Sequence, residues 1–176
     1  RAELGGKQFA QGDVVTTMLK CENGETVLIK LDTTLPRLYD RELTVSGTKG
    51  FYNQTTNSVV LDNGAFNHDT AAYKEAFGSQ ENYNGYLPGV WKDITEEQIA
   101  AGHGGMDYIM LKYFFEAVRN REEMPIDVYD AAVWMSVTAL SAQSIADGSH
   151  PVEIPDFTRG AYKSRARKDV VSLLKK

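Results

Sequence analysis

The chain has 176 residues, 42% hydrophobic and 24% charged, with a formal charge of -5. That suits one soluble globular domain with its own core and is short for two. The mild acidic excess argues against nucleic acid as the main partner, the one cysteine (Cys21) excludes an internal disulfide, and no apolar run is long enough to span a bilayer.

The chain opens RAELGGKQFAQG, without Met, which reads as a processed product or an excised piece of a longer protein. Val14 to Lys20 and Thr26 to Thr33 read as strands flanking C-E-N-G-E. Asn23-Gly24 predicts a type I′ hairpin turn. That turn sets Met18 opposite Ile29, Thr16 opposite Leu31 and Lys20 opposite Val27, with Leu19 opposite Leu28 on the other face. Leu38 to Ser46 is expected as a third strand, with Tyr39, Arg41, Leu43 and Val45 on one face. G-T-K-G then turns the chain. Phe51 to Asn53 and Ser58 to Asp62 are two further strands around Q-T-T-N, and Asp62-Asn63-Gly64 closes the series.

The remainder reads as helices. Asp69 or Thr70 caps a short helix that ends at Gly78, and residues 79 to 92 read as a long loop. Thr95-Glu96-Glu97-Gln98 is a capping box opening a brief helix. Met106 to Arg121 is amphipathic. Pro125 and Asp127 start another helix, with Val128, Ala131, Met135, Ala139, Ala142 and Ile145 on one stripe, ended by Gly148. Pro151 to Arg159 reads as extended, and Lys163 to Lys176, with Lys163, Arg165, Arg167, Lys168, Lys175 and Lys176, as a solvated basic terminal helix. Strands followed by helices predict an α+β fold: a mostly antiparallel open sheet with helices packed on one face.

Three histidines, His68, His103 and His150, lie far apart and at no metal-ligand spacing, so no metal site is expected. G-x-G-x-x-G, G-x-x-x-x-G-K-[ST] and G-x-S-x-G are all absent. Two segments remain as candidates. In GHGGMDY, residues 102 to 108, the glycines allow one helix to stop and the next to begin, with Asp107 favoured by the helix dipole. The same segment also suits His103 and exposed backbone N–H groups facing a polar ligand. In LPRLYDR, residues 35 to 41, Arg37, Tyr39 and Arg41 alternate and suit an oxygen-rich ligand, or pair with Asp32, Asp40 or Glu42 on a wet sheet face. Asp127 and Asp130 in DVYDAAVW read as helix cap and first-turn acid rather than as a catalytic pair.

Four segments, QGDVVTTMLKCENGETVLIKLDTTLPRLYDRELTVSGTKG, GHGGMDYIM, DVYDAAVWMSVTALSAQSIADGS and VEIPDFTRG, follow one another through nearly the whole chain. They resemble the C-terminal domain of the glucose-fructose oxidoreductase superfamily. Within it they are most similar to the NAD-dependent glycoside hydrolases typified by bacterial α-N-acetylgalactosaminidase, family 109. The resemblance implies a two-domain parent. Its N-terminal Rossmann domain, absent from residues 1–176, would hold NAD and the principal base, and this chain would form the sugar side. It implies hydrolysis by transient oxidation at sugar C3, elimination and water addition, with no carboxylate pair flanking the bond. It places Tyr39 at the sugar, with Arg37 and Arg41 orienting it or lining the site, and gives His103 a place in a family motif on the substrate side. It assigns no catalytic, cofactor-binding or metal-binding residue to this chain, and it implies a bacterial protein, cytoplasmic or periplasmic, inactive as the isolated chain. Two other readings stay open: the same domain of an NAD(P)-dependent sugar oxidoreductase, and a domain serving mainly for homo-oligomerisation through its open sheet.

Overall fold

In the computed structural model, strands β1 (Val14–Lys20) and β2 (Thr26–Asp32) pair antiparallel, with Val15 opposite Leu31, Thr17 opposite Ile29 and Leu19 opposite Val27. The structure describes residues 3, 5–9, 12–62, 70–124 and 126–166. The chain divides into two compact units, Arg1–Glu42 and Leu43–Lys176.

The hairpin register differs by one residue from the expected one, and the turn explains why. Cys21 N–H donates to Glu25 O at 2.8 Å and Gly24 N–H to Cys21 O at 3.1 Å, leaving a three-residue loop of Glu22, Asn23 and Gly24. Of these three, only Gly24 takes a positive φ, 98°. A type I turn followed by a left-handed glycine replaces the two-residue type I′ turn, and the added loop residue shifts every pair. The gain is a cleaner face. Val15, Thr17, Leu19, Val27, Ile29 and Leu31 now lie together, whereas Met18 and Leu28 face each other on the more exposed side.

The expected third strand contracts to β3 (Thr44–Ser46). Glu42 sits at φ 49°, a left-handed conformation that no strand continues through. The Asp40 carboxylate fixes that turn by accepting Glu42 N–H at 2.8 Å.

In the second unit β3, β4 (Gly50–Asn53) and β5 (Ser58–Leu61) form a three-stranded antiparallel sheet in that order. The strands thus fall into two sheets, and the architecture is α+β. Between β4 and β5, Asn53 Oδ1 accepts from both the N–H and the hydroxyl of Thr56, each at 3.0 Å, and Asn57 takes φ 50°. Beyond β5, Asn63 and Gly64 lie outside the described residues, as does the expected cap Asp69; Thr70 is the first residue of α1 (Thr70–Glu75).

Residues 79 to 92 are not a loop. Gly78, at φ 73°, turns the chain into a 3-10 helix, Ser79–Tyr86, followed by the single turn α2 (Gly89–Lys92). The Ser79 hydroxyl accepts Val59 N–H at 2.9 Å and donates to Val59 O at 3.1 Å, so it covers part of the β5 edge that the sequence suggested was open.

The capping box forms at α3 (Glu96–Ala100). Thr95 Oγ1 accepts Gln98 N–H at 3.3 Å and Gln98 Oε1 accepts Thr95 N–H at 2.9 Å. A 3-10 turn, His103–Gly105, leads into α4 (Met106–Asn120), which ends at Arg121 in a left-handed cap. Helix α5 (Val128–Ala146) opens at Asp127, whose Oδ1 accepts the N–H groups of Tyr129 and Asp130 at 2.8 and 3.1 Å. Pro125, the other expected start signal, lies outside the described residues.

The apolar stripe read on α5 lies on its exposed side. Val128, Met135 and Ile145 are exposed, as are Ala131, Ala139 and Ala142. Beyond Asp130, the half-buried positions are Ala132, Val133, Ser136, Val137, Leu140, Ser141 and Ser144. Small and hydroxylic residues on that side hid it from a reading based on large apolar spacing.

After α5 the chain is extended only to Asp156. Phe157 to Gly160 form a turn with Arg159 at φ 54°, closed by the Asp156 carboxylate. The terminal helix reading fails where it can be seen. Ala161–Lys163 is a short 3-10 turn, Ser164 to Ala166 are not helical, and Arg167, Lys168, Lys175 and Lys176 lie outside the described residues.

Candidate functional site

Arg37, Tyr39 and Arg41 belong to the first unit, and the structure separates them into two arrangements. Arg37 is anchored backwards. Its guanidinium donates to Asp32 O and lies 3.8 Å from the Asp32 carboxylate, which is 7% exposed. This is the ion-pair alternative weighed for the segment, and it makes Arg37 a brace for the turn after β2.

Tyr39 and Arg41 meet instead. Arg41 Nε donates to the Tyr39 phenol oxygen at 3.3 Å, with Tyr39 85% exposed. They meet in a turn, not along a strand, because Glu42 breaks the extended run immediately afterwards. A phenol whose oxygen accepts from a guanidinium keeps its own proton for an outside acceptor. The pair therefore offers an O–H donor beside a fixed positive charge.

His103 lies in the second unit, in a backbone conformation rarely used by residues with side chains. Gly102, His103, Gly104 and Gly105 have φ values of 122°, 44°, 67° and 91°. Four successive positive values carry the chain from α3 into α4 in one tight turn, closed by Gly105 N–H to Gly102 O at 2.9 Å. A left-handed non-glycine residue costs roughly 1–3 kcal/mol, and such strain concentrates at working sites.

The strain has a visible result. His103 Nδ1 lies 2.9 Å from Asp107 Oδ2, one turn further on at the start of α4. A carboxylate only accepts, so Nδ1 carries the hydrogen and Nε2 is the ring nitrogen left for another partner. The glycines are specific to this arrangement. A Cβ at Gly102 would collide with the Asp107 carboxylate, and one at Gly105 would collide with Ile94 Cδ1. At Gly104 a Cβ would meet nothing.

Asp107 was visible in the sequence only as a first-turn acid. Its partnership with His103 is an H-x-x-x-D spacing, four residues apart across a helix start, and that was the signal available. The acids Asp127 and Asp130, expected as helix cap and first-turn acid, close a capping box, and Arg165 is added to them: its guanidinium lies 2.8 Å from Asp127 Oδ2 and 3.2 Å from Asp130 Oδ2. Hydrogen bonding to Asp130 holds the Arg165 pKa above its ordinary value, against desolvation and aided by both charges. This stretch is structural. His68 lies outside the described residues, and His150 pairs with Asp147 at 3.6 Å on the surface after α5. Among the described residues no group of three His, Cys, Asp or Glu side chains is placed to hold a metal.

Residues 3–164 match the family described as glycosyl hydrolase 109, C-terminal domain. The chain belongs to glycoside hydrolase family 109. A family 109 protein of Stenotrophomonas maltophilia is 42% identical over 158 residues, covering 90% of this chain and 34% of that protein. An alpha-N-acetylgalactosaminidase of Tannerella forsythia is 40% identical over 157 residues, 89% of this chain and 32% of its own length. A family 109 protein of Parabacteroides distasonis is 38% identical over 162 residues, 92% and 34% respectively. The chain thus spans about a third of the length of these family 109 relatives. No helix among the described residues is long and apolar enough to cross a membrane.

Proposed function

We propose that this chain is the sugar-side part of an NAD-dependent glycosidase that releases N-acetylgalactosamine or a close relative from glycosides. Family membership supports the glycosidase class, and the Tannerella relative's name supports the sugar. The observation that carries the assignment to particular residues is the His103–Asp107 pair, held on four positive-φ residues at the mouth of α4.

In this reading His103 Nε2 gives or takes a proton at a sugar or leaving-group oxygen, and Asp107 fixes the tautomer and the ring. Within the first unit, considered by itself, Tyr39 has an O–H to offer a sugar hydroxyl, with Arg41 fixing the phenol. Arg37 supports the turn that carries them. Among the described residues there is no dinucleotide cradle. The described sheets are antiparallel, whereas a dinucleotide sits at a strand–helix crossover of a parallel sheet, and no G-x-G-x-x-G exists here. NAD therefore belongs, in this proposal, to a Rossmann domain elsewhere in the full-length protein, and the isolated chain is inactive.

The test uses full-length protein with NAD and nitrophenyl α-N-acetylgalactosaminide, without added NADH. Nitrophenol release without net NADH accumulation is the expected result. Net NADH formation with free sugars, and no nitrophenol, would make the protein an oxidoreductase instead.

A further inference from the structure

Helix α5 has 19 residues and a single charged side chain, Asp130, near its N-terminus. A helix without charge around its circumference is ordinarily buried on all sides. Here one side is half-buried and the other is bare. Val128 is 72% exposed, Met135 75%, Trp134 59% and Ile145 57%, and Ala131 and Ala142 complete the face. From Val128 to Ile145 this face runs for about 26 Å, at 1.5 Å per residue.

Reversible docking surfaces keep a polar rim around their apolar centre. Beyond Asp130, α5 supplies no charge to such a rim, so its cover should be permanent. The chain spans 34% of the Stenotrophomonas relative's length, so a full-length protein of that size has about two thirds of its polypeptide available as cover. We propose that the exposed face of α5 is buried against an apolar surface of that remaining polypeptide, in the same molecule. The helix then serves as a seam between the sugar-side part and the rest of the protein. This inference does not depend on the glycosidase reading, because it invokes no activity.

The test needs no substitution. Full-length protein is produced with photo-methionine in place of methionine, irradiated, digested and sequenced by mass spectrometry. Met135 should cross-link to a peptide outside residues 1–176, in a species of monomer mass. Cross-links from Met135 found only within residues 1–176, or only in species of dimer mass, would overturn the proposal; the second result would assign the face to another copy of the chain. Hydroxyl-radical footprinting of unlabelled full-length protein gives an independent reading. Trp134 and Met135 should be protected there at least tenfold relative to the same peptide unfolded, and oxidation at the unfolded rate would also overturn it.

Discussion

Replacing Gly102 by alanine tests whether the turn before α4 exists to hold the His103–Asp107 pair. Gly102 lies at φ 122° and ψ 137°, a region that only glycine occupies readily, so any side chain there costs roughly 1–3 kcal/mol of local strain. Alanine also adds a Cβ in collision with the Asp107 carboxylate. Ordinary contact requires that carboxylate to retreat. The pair starts at 2.9 Å, and a shift of about 1 Å takes it beyond hydrogen-bonding distance. A displacement of that size at a catalytic group costs on the order of 100-fold, or about 2.7 kcal/mol of activation free energy. Gly104→Ala is the control. Its φ of 67° imposes a left-handed strain of roughly 1–2 kcal/mol, but its Cβ meets nothing. In full-length protein assayed for nitrophenol release, Gly102→Ala should lose about 100-fold in kcat, whereas Gly104→Ala should lose stability with a much smaller change in turnover. Adding Gly102→Ala to Asp107→Asn should cost little more, because both act through one contact. Equal turnover in the two glycine variants, or full additivity with Asp107→Asn, would refute the reasoning.

Tyr39→Phe removes the phenol O–H and leaves Arg41 Nε without that acceptor; KM for the glycoside should rise about tenfold, the worth of one neutral hydrogen bond, and unchanged kcat and KM would remove Tyr39 from the site. Asp127→Ala should destabilise by about 1 kcal/mol through the lost cap of α5, whereas Asp127→Asn keeps the cap and loses only the charge facing Arg165. Denaturant midpoints of the two variants therefore separate cap from ion pair, and equal losses would contradict that division. The Asp156 carboxyl is held below its ordinary pKa of 3.8, first by the Thr158 hydroxyl and then, against desolvation, by the N–H groups of Thr158 and Gly160. A depressed folded pKa means the turn's stabilisation is present above pH 3.8 and is lost as pH falls through the lower folded value. The Gly160 amide-proton shift should therefore titrate with a midpoint below 3.8, and a midpoint at or above it would contradict the arrangement.

Legibility in the sequence followed the range of the interaction. Helix-start signals close within four residues, so the Thr95–Gln98 capping box and Asp127 as the cap of α5 were readable, whereas the return bond from Asp127 N–H to Asp130 Oδ2 was not. The hairpin was readable as a hairpin, but its register depended on whether Asn23 joined Gly24 in a positive φ, and Asn tolerates either choice. The candidate histidine was readable for its glycines; its partner was overlooked because Asp107 already had a sufficient explanation as a first-turn acid. The strand expected over Leu38 to Ser46, with Tyr39 and Arg41 on one face, contracts to Thr44–Ser46 because Glu42 takes a left-handed turn fixed by Asp40. That contraction sorted the trio: Arg37 went to Asp32, and Tyr39 and Arg41 found each other.

The direction in which α5 turns its stripe was not legible for a different reason. Spacing identifies which residues share a face, and Val128, Ala131, Met135, Ala142 and Ile145 do share one. It does not identify which neighbour covers that face. A helix with one charge in 19 residues has no charged side to turn outward, so spacing alone leaves the direction of its large apolar stripe open. Trp134 and Met135, on that side of the helix, are exposed. Where a helix carries almost no charge, the pattern gives burial without direction, and the proposed seam with polypeptide outside residues 1–176 is what would give the bare side of α5 its cover.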